Sequence, residues 1–210
     1  MSFILINKPE GWTSHDVVAF ARKRLKEKTI GHAGTLDPFA TGLLIVGVGR
    51  ESTKRLDEFK NLPKTYIAAI HLGAISDTYD KMGVIKINEN AKQISEEKIH
   101  EIINSFKGKQ LQIPPMFSAK KVGGKKLYDL ARRGIEIERK PCEIEIYDIS
   151  ILDYTWPILK IEVKCSTGTY IRSLANDIGA KLGVDAYCEE LTRTAIGEYT
   201  LEQAKNINEI

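Results

Sequence analysis

At 210 residues, 42% hydrophobic and 28% charged, the chain has the size and balance of a soluble globular protein with one sizeable core. No run is long or apolar enough to span a bilayer, and the short run from Phe3 to Ile6 has neither a basic leader nor a small-residue cleavage site, so the expected location is the cytoplasm. A net charge of only +3 does not by itself point to nucleic acid, and Cys142, Cys165 and Cys188 are too scattered to form a CxxC metal or redox pair.

Phe3 to Asn7 reads as a short strand, broken by Lys8-Pro9-Glu10-Gly11. Thr13 and Asp16 stand at capping-box spacing before Val17, Val18, Ala21 and Leu25, which predicts a helix from about His15 to Lys26. Leu43 to Val48 suits a buried strand, and Thr65 to Leu72 alternates, with Tyr66, Ala68, Ile70 and Leu72 on one face. From Ser95 to Lys107 a helix is predicted: Ser95 caps, Ile94 and Ile99 form a staple, Ile99, Ile102, Ile103 and Phe106 make one stripe, and Gly108 ends it.

Between about residues 111 and 134 the texture changes to Pro-Pro, Gly-Gly and six lysines and arginines, with Leu127, Leu130 and Ala131 spaced for a short helix. That composition suits a mobile cationic excursion. Strands resume at Glu143 to Ile151 and Ile158 to Ser166, then Gly168 and Thr169 lead into a helix stopped by Gly183. The order lacks the regular beat of a doubly wound parallel sheet, so the expected class is α+β, a mixed, mostly antiparallel sheet flanked by helices.

Basic residues also gather in ARKRLKEK (Ala21 to Lys28) and ERK (138–140), and acidic ones in SEEKIHE and the last ten residues. Any one such run alone is ordinarily a solvated helix face.

Two stretches could carry chemistry. GHAGTLDP, Gly31 to Pro38, holds two glycines and an Asp-Pro pair. It is either a plain connector or a loop that presents a carboxylate, and the pattern alone does not decide. In KCSTGTYIRSLANDIG a strand runs through Gly168 into a helix, placing Tyr170 and Arg172 near its first turn. An arginine there opposes the helix dipole, so its place wants another reason, and a carboxylate partner would be one. Tyr66, alone, is more often core than site. There is no GxxxxGK[ST], HExxH or GxSxG, and His15, His32, His71 and His100 have no metal-ligand spacing.

Taken in order, NKPEGWTSHD, GHAGTLDPFATGLLIVGVG, KTYIAAIHLG, SDTYDKMG, IPPMFSAKKVGGKKLYDLARRG, CSTGTYIRSLANDIG and LTRTAIGEYTLEQA make the chain resemble the TruB family of tRNA pseudouridine synthases over nearly its full length. The lysine-rich segment looks like the bacterial stand-alone form. The resemblance implies the pseudouridine synthase fold and isomerisation of uridine 55 in the tRNA T-loop by base flipping, without metal or other cofactor.

By the same resemblance Asp37 is the catalytic carboxylate, Tyr66 stacks on the uracil, Tyr170 packs beside it and Arg172 pairs with the catalytic aspartate. Leu191 is an apolar wall, His32 occupies space left by the extruded nucleotides, and Lys8 has a supporting role. Lys120, Lys121, Lys125, Lys126, Arg132 and Arg133 are expected to close over RNA phosphates of the T-stem-loop.

Bacterial members generally continue past the segment matching LTRTAIGEYTLEQA, often into a small PUA domain, whereas this sequence stops at Ile210. The expectation is therefore one catalytic domain over residues 1–210, a monomer without a PUA domain, keeping its chemistry with reduced affinity for the rest of the tRNA. An RNA chaperone that has lost the chemistry, and a guide-RNA-dependent synthase, remain as alternatives.

Overall fold

The computed structural model describes residues 2–118, 120–122, 124–131 and 133–210. They form β1 (Ser2–Lys8), α1 (Ser14–Leu25), β2 (Ile30–Ala33), β3 (Thr41–Val48), α2 (Arg50–Lys54), α3 (Asp57–Lys60), β4 (Lys64–Leu72), β5 (Ala74–Ser76), β6 (Ile85–Ile87) and α4 (Glu96–Asn104). Then follow β7 (Gly108–Gln112), β8 (Lys121–Val122), β9 (Lys125–Lys126), α5 (Leu127–Ala131), β10 (Cys142–Thr155), β11 (Ile158–Cys165), α6 (Ile171–Leu182), β12 (Ala186–Ile196), β13 (Tyr199–Thr200) and β14 (Lys205–Asn206). The chain divides into two compact units: Met1–Ile67 with Val163–Thr167 and Glu190–Ile210, and Ala68–Glu162 with Gly168–Glu189. Strands β4, β11 and β12 contribute residues to both.

In the first unit the strand order is β14-β1-β3-β12, with β2 also on β3 and β13 on β12. Pairing is antiparallel except β1 with β14 and β3 with β12, so the sheet is mixed and mostly antiparallel, as expected for this α+β chain. Helix α1 begins at the predicted capping box: Thr13 Oγ1 accepts from Asp16 N (3.1 Å) and Asp16 Oδ2 accepts from Thr13 N (2.8 Å). It buries Val17, Val18 and Ala21 against Ile6, Ile30, Leu44 and Val46.

The second unit carries the rest of β4 with β11, β10 and β7 in that order, and helices α4 and α6. Ser95 caps α4 through Lys98 N (3.3 Å), and Ile99, Ile103 and Phe106 are buried as the stripe requires. The helix stops at Asn104, short of the predicted Lys107. Ser105 N is shared between the carbonyls of Glu101 (3.2 Å) and Ile102 (3.1 Å), the tightened last turn of a helix that is ending. Gly108 instead opens β7 at φ +100.

The basic excursion has its own small core: Met116, Leu127 and Leu130 pack together, with α5 where the leucine spacing placed it. No helix among the described residues is long and apolar enough to cross a membrane.

Candidate active site

Strand β2 takes up the first part of GHAGTLDP, pairing with β3 from Ile30 opposite Val48 to Ala33 opposite Ile45. Gly34, at φ +78, turns the chain off that ladder, a conformation glycine adopts without penalty. From there the backbone is held almost residue by residue. Arg193 Nη2 donates to Gly34 O (3.0 Å), and Leu36 N donates to Ser14 Oγ (2.9 Å). Ala40 N donates to Asp37 O (3.1 Å), and Pro38 O accepts from Gly11 N (2.8 Å) and Lys8 Nζ (3.3 Å). Leu36, Phe39 and Ala40 are buried, while Asp37 between them is half-buried. The loop therefore presents its carboxylate from a fixed frame.

Lys8 is fully buried at the end of β1 and supplies part of that frame. Its ammonium donates to Pro9 O (2.8 Å) and Trp12 O (2.7 Å) as well as Pro38 O, so one side chain ties the 9–12 turn to the Asp37 loop. Burial pulls its pKa down to about 8; the negative charge of Asp37 works against that shift and the positive charge of Arg193 with it.

Tyr66 lies on the buried face of β4, as alternation predicted. Burial raises the pKa of its hydroxyl and keeps it neutral. The positive charge of Arg193 and a hydrogen bond from it act the other way, and the charge of Asp37 adds to the rise. Leu191 and Arg193, two residues apart on β12, are both buried on one side of that strand. Thr192 faces away and its hydroxyl meets that of Thr41 at 2.8 Å, across the parallel register that sets Arg193 opposite Gly42.

Gly42 is what permits this approach. Its φ is +104, and a Cβ there would lie 2.4 Å from Arg193 O and 2.8 Å from Arg193 N. Gly42→Ala is expected to part β12 from β3 and to lower stability by about 2 kcal/mol or more, read as a lower urea midpoint.

His32 sits on β2 with its ring edge-on to that of His15, centroids 5.4 Å apart, and its buried Nδ1 has no hydrogen-bond partner among the described residues. Burial, then the charges of His15, Arg193 and Lys60, pull its pKa down to about 4, so the ring is neutral at pH 7. Unfolded, a histidine titrates near 6.5. Between about pH 6.5 and 4 the unfolded chain thus binds the extra proton, and stability falls as pH falls. His32→Gln is expected to flatten that acid limb in urea unfolding followed against pH.

Tyr170 and Arg172 belong to the second unit. Tyr170 is the N-cap of α6, its main chain clasped by Gln112, whose Oε1 accepts from Tyr170 N (2.8 Å) and whose Nε2 donates to Tyr170 O (3.0 Å). Arg172, in the first turn, has a carboxylate beside it, one reason for its place on the dipole: Nη1 lies 3.3 Å from Asp80 Oδ2, with the two side chains 3% and 8% exposed. The same guanidinium donates to Thr78 O (3.0 Å) and Phe117 O (2.8 Å).

Of the basic residues, Lys120 is half-buried with its ammonium hydrogen-bonded to Cys142 Sγ, and Arg133 is exposed. Lys121 lies in β8 and Lys125 and Lys126 in β9, but their side chains, like all of Arg132, lie outside the described residues.

The family profile described as TruB family pseudouridylate synthase (N terminal domain) matches residues 22–171, more than half of the chain. A tRNA pseudouridine synthase B from Protochlamydia amoebophila is 50% identical over 207 residues, covering 99% of this chain and 78% of that protein. This chain belongs to the TruB family. Its class is accordingly that of a pseudouridine synthase, an isomerase.

A second TruB-family relative, the tRNA pseudouridine synthase B of Clostridium tetani, is 48% identical and covers 99% of this chain and 71% of its own length. Among solved structures, a Cbf5-Nop10-Gar1 complex matches with TM-score 0.76 and 29% identity, over 98% of this chain and 52% of that one. An H/ACA RNP bound to a substrate RNA containing 2'-deoxyuridine matches with TM-score 0.73 and 28% identity, over 98% and 51%. The chain spans about half the length of those two solved chains.

Of the residues read from the TruB motifs, the first unit holds Lys8, His32, Asp37, Tyr66 and Leu191, and the second Tyr170 and Arg172. Two polar residues escaped the sequence reading. Asp80 lies in SDTYDKMG and Arg193 in LTRTAIGEYTLEQA, and each is an ionisable residue at a buried strand or turn position. The alternation of β12 carried the signal for Arg193: a charged residue stands where an apolar one is due.

Proposed function

We propose that this chain converts uridine 55 in the T-loop of tRNA to pseudouridine, acting alone, as a cytoplasmic monomer and without a cofactor. The observation that carries the reading is the Asp37 loop, held by backbone hydrogen bonds on both sides of a half-buried carboxylate whose charge is felt at Lys8 and Tyr66. The printed names of the bacterial relatives support the tRNA substrate.

The atoms balance within the substrate. The N1–C1' bond breaks, the base turns, C5 joins C1', and the C5 proton leaves as N1 gains one, so no redox partner or group donor is called for. Asp37 serves as the nucleophile at C1' or as the base at C2'. A uracil stacked inside the T-loop is out of reach, and flipping it out costs a few kcal/mol, offset here by stacking on Tyr66 with Leu191 as an apolar wall. Tyr170 packs beside the base and His32 fills the vacated space. Lys120, Lys121, Lys125, Lys126, Arg132 and Arg133 meet T-stem phosphates, giving salt-sensitive affinity without base readout.

A guide-dependent reading draws on the likeness to the H/ACA RNP, at 28% identity. The 48–50% identity to bacterial tRNA enzymes supports the stand-alone one. The test is to incubate purified protein with unmodified tRNA transcript and map pseudouridine by carbodiimide primer extension. A single stop at position 55, absent in a transcript with cytidine there, is expected. Product elsewhere, or only with added guide RNA, would refute the assignment.

A further inference from the structure

We infer that Arg193 is a positioning residue that fixes the Asp37 loop and the Tyr66 hydroxyl with respect to one another; the inference rests on the roles proposed above for Asp37 and Tyr66. Its side chain is 1% exposed. Nε donates to Leu43 O (2.8 Å) and Nη2 to Gly34 O (3.0 Å), and the charge of the same guanidinium is felt at the Tyr66 hydroxyl. Gly34 precedes the Asp37 loop and Leu43 follows it in β3, so one planar fork spans both ends of the loop. The stem is fixed as well, because Arg193 lies opposite Gly42 with no room for a Cβ between them.

A buried guanidinium is a costly way to hold two carbonyls together, and an apolar residue of similar size would ordinarily serve stability as well. Here the charge also works against its neighbours: it disfavours protonation of Lys8, His32 and Lys64. What the fork supplies in return is direction. A tyrosine hydroxyl beside a cation turns its lone pairs toward it and keeps its own proton to donate, so Arg193 leaves the Tyr66 O–H available to the polar edge of a flipped uracil. Lysine cannot replace it, since a point ammonium lacks the rigid geometry that holds both carbonyls at once.

The test uses Arg193→Lys and, should that variant fold poorly, Arg193→Met, read in two ways. Amide hydrogen exchange of the free protein is expected to speed up about tenfold at Leu36 and Ala40 with the β1/β3 ladder unchanged. Single-turnover isomerisation at saturating tRNA is expected to fall roughly 100-fold with tRNA affinity within about twofold, and Arg193→Lys combined with Tyr66→Phe should cost less than the product of the two. Wild-type loop exchange and rate in Arg193→Lys, loop and ladder amides speeding up together, or effects that multiply, would each overturn the inference. A wild-type protein inactive on tRNA, but with the loop-specific exchange response intact, would refute the proposed reaction while supporting the positioning role.

Discussion

Asp37→Asn is expected to lower isomerisation by roughly 10^3-fold or more while leaving the fold in place, with the thermal midpoint within about 2 °C of wild type. The hydrogen bonds that shape the loop are made by the main chain of Gly34, Leu36, Asp37 and Pro38, and asparagine leaves all of them intact. What it removes is the negative charge. That loss has a second signature, because Asp37 opposes the downward pull of burial on Lys8. In the variant the Lys8 pKa should move further below about 8, so its ammonium gives up its proton at lower pH. A variant that bound tRNA normally and made no product would assign the chemistry to the carboxylate; one as active as wild type would remove Asp37 from the mechanism.

The second large effect is expected at a residue that the sequence reading passed over. Asp80→Ala takes away the carboxylate that lies 3.3 Å from Arg172, whose side chain is only 3% exposed. Breaking a buried pair from one side costs about 3–5 kcal/mol, far above an exposed ion pair. The same carboxylate also organises its own turn: Oδ1 accepts from Thr78 Oγ1 (2.6 Å) and from Met82 N (3.0 Å). Urea unfolding of Asp80→Ala, Arg172→Met and the double variant should give a double cost well below the sum of the singles. Additive costs would mean that the pair contributes little as a pair.

What could be read in advance divides along the range of the interactions. Local devices were legible: the Thr13/Asp16 box, the Ser95 cap and the alternation of β4 all depend on neighbours within a few residues, and each is where the sequence placed it. The end of α4 was not, because the glycine at 108 suggested a stop while the turn tightened earlier, at Ser105. Strand β2 escaped as well, its four residues lying inside a stretch dense with turn formers. The long-range polar contacts were least legible. Arg193 meets Gly34 across 159 positions, and Arg172 meets Thr78 across 94, so no window of sequence contains both partners. The Asp37 motif pointed to the loop and the resemblance gave Lys8 a supporting role, but only the folded chain places Arg193 beside it as a second support.

The measurement that tests the account most directly is tritium release from tRNA transcript labelled at C5 of uridine, with the purified protein as the only macromolecule added. The proposed mechanism predicts release of one equivalent per tRNA, since the C5 proton must leave as C5 joins C1'. Binding of the transcript with no tritium released would contradict it and leave an RNA-binding protein or a guide-dependent synthase in its place.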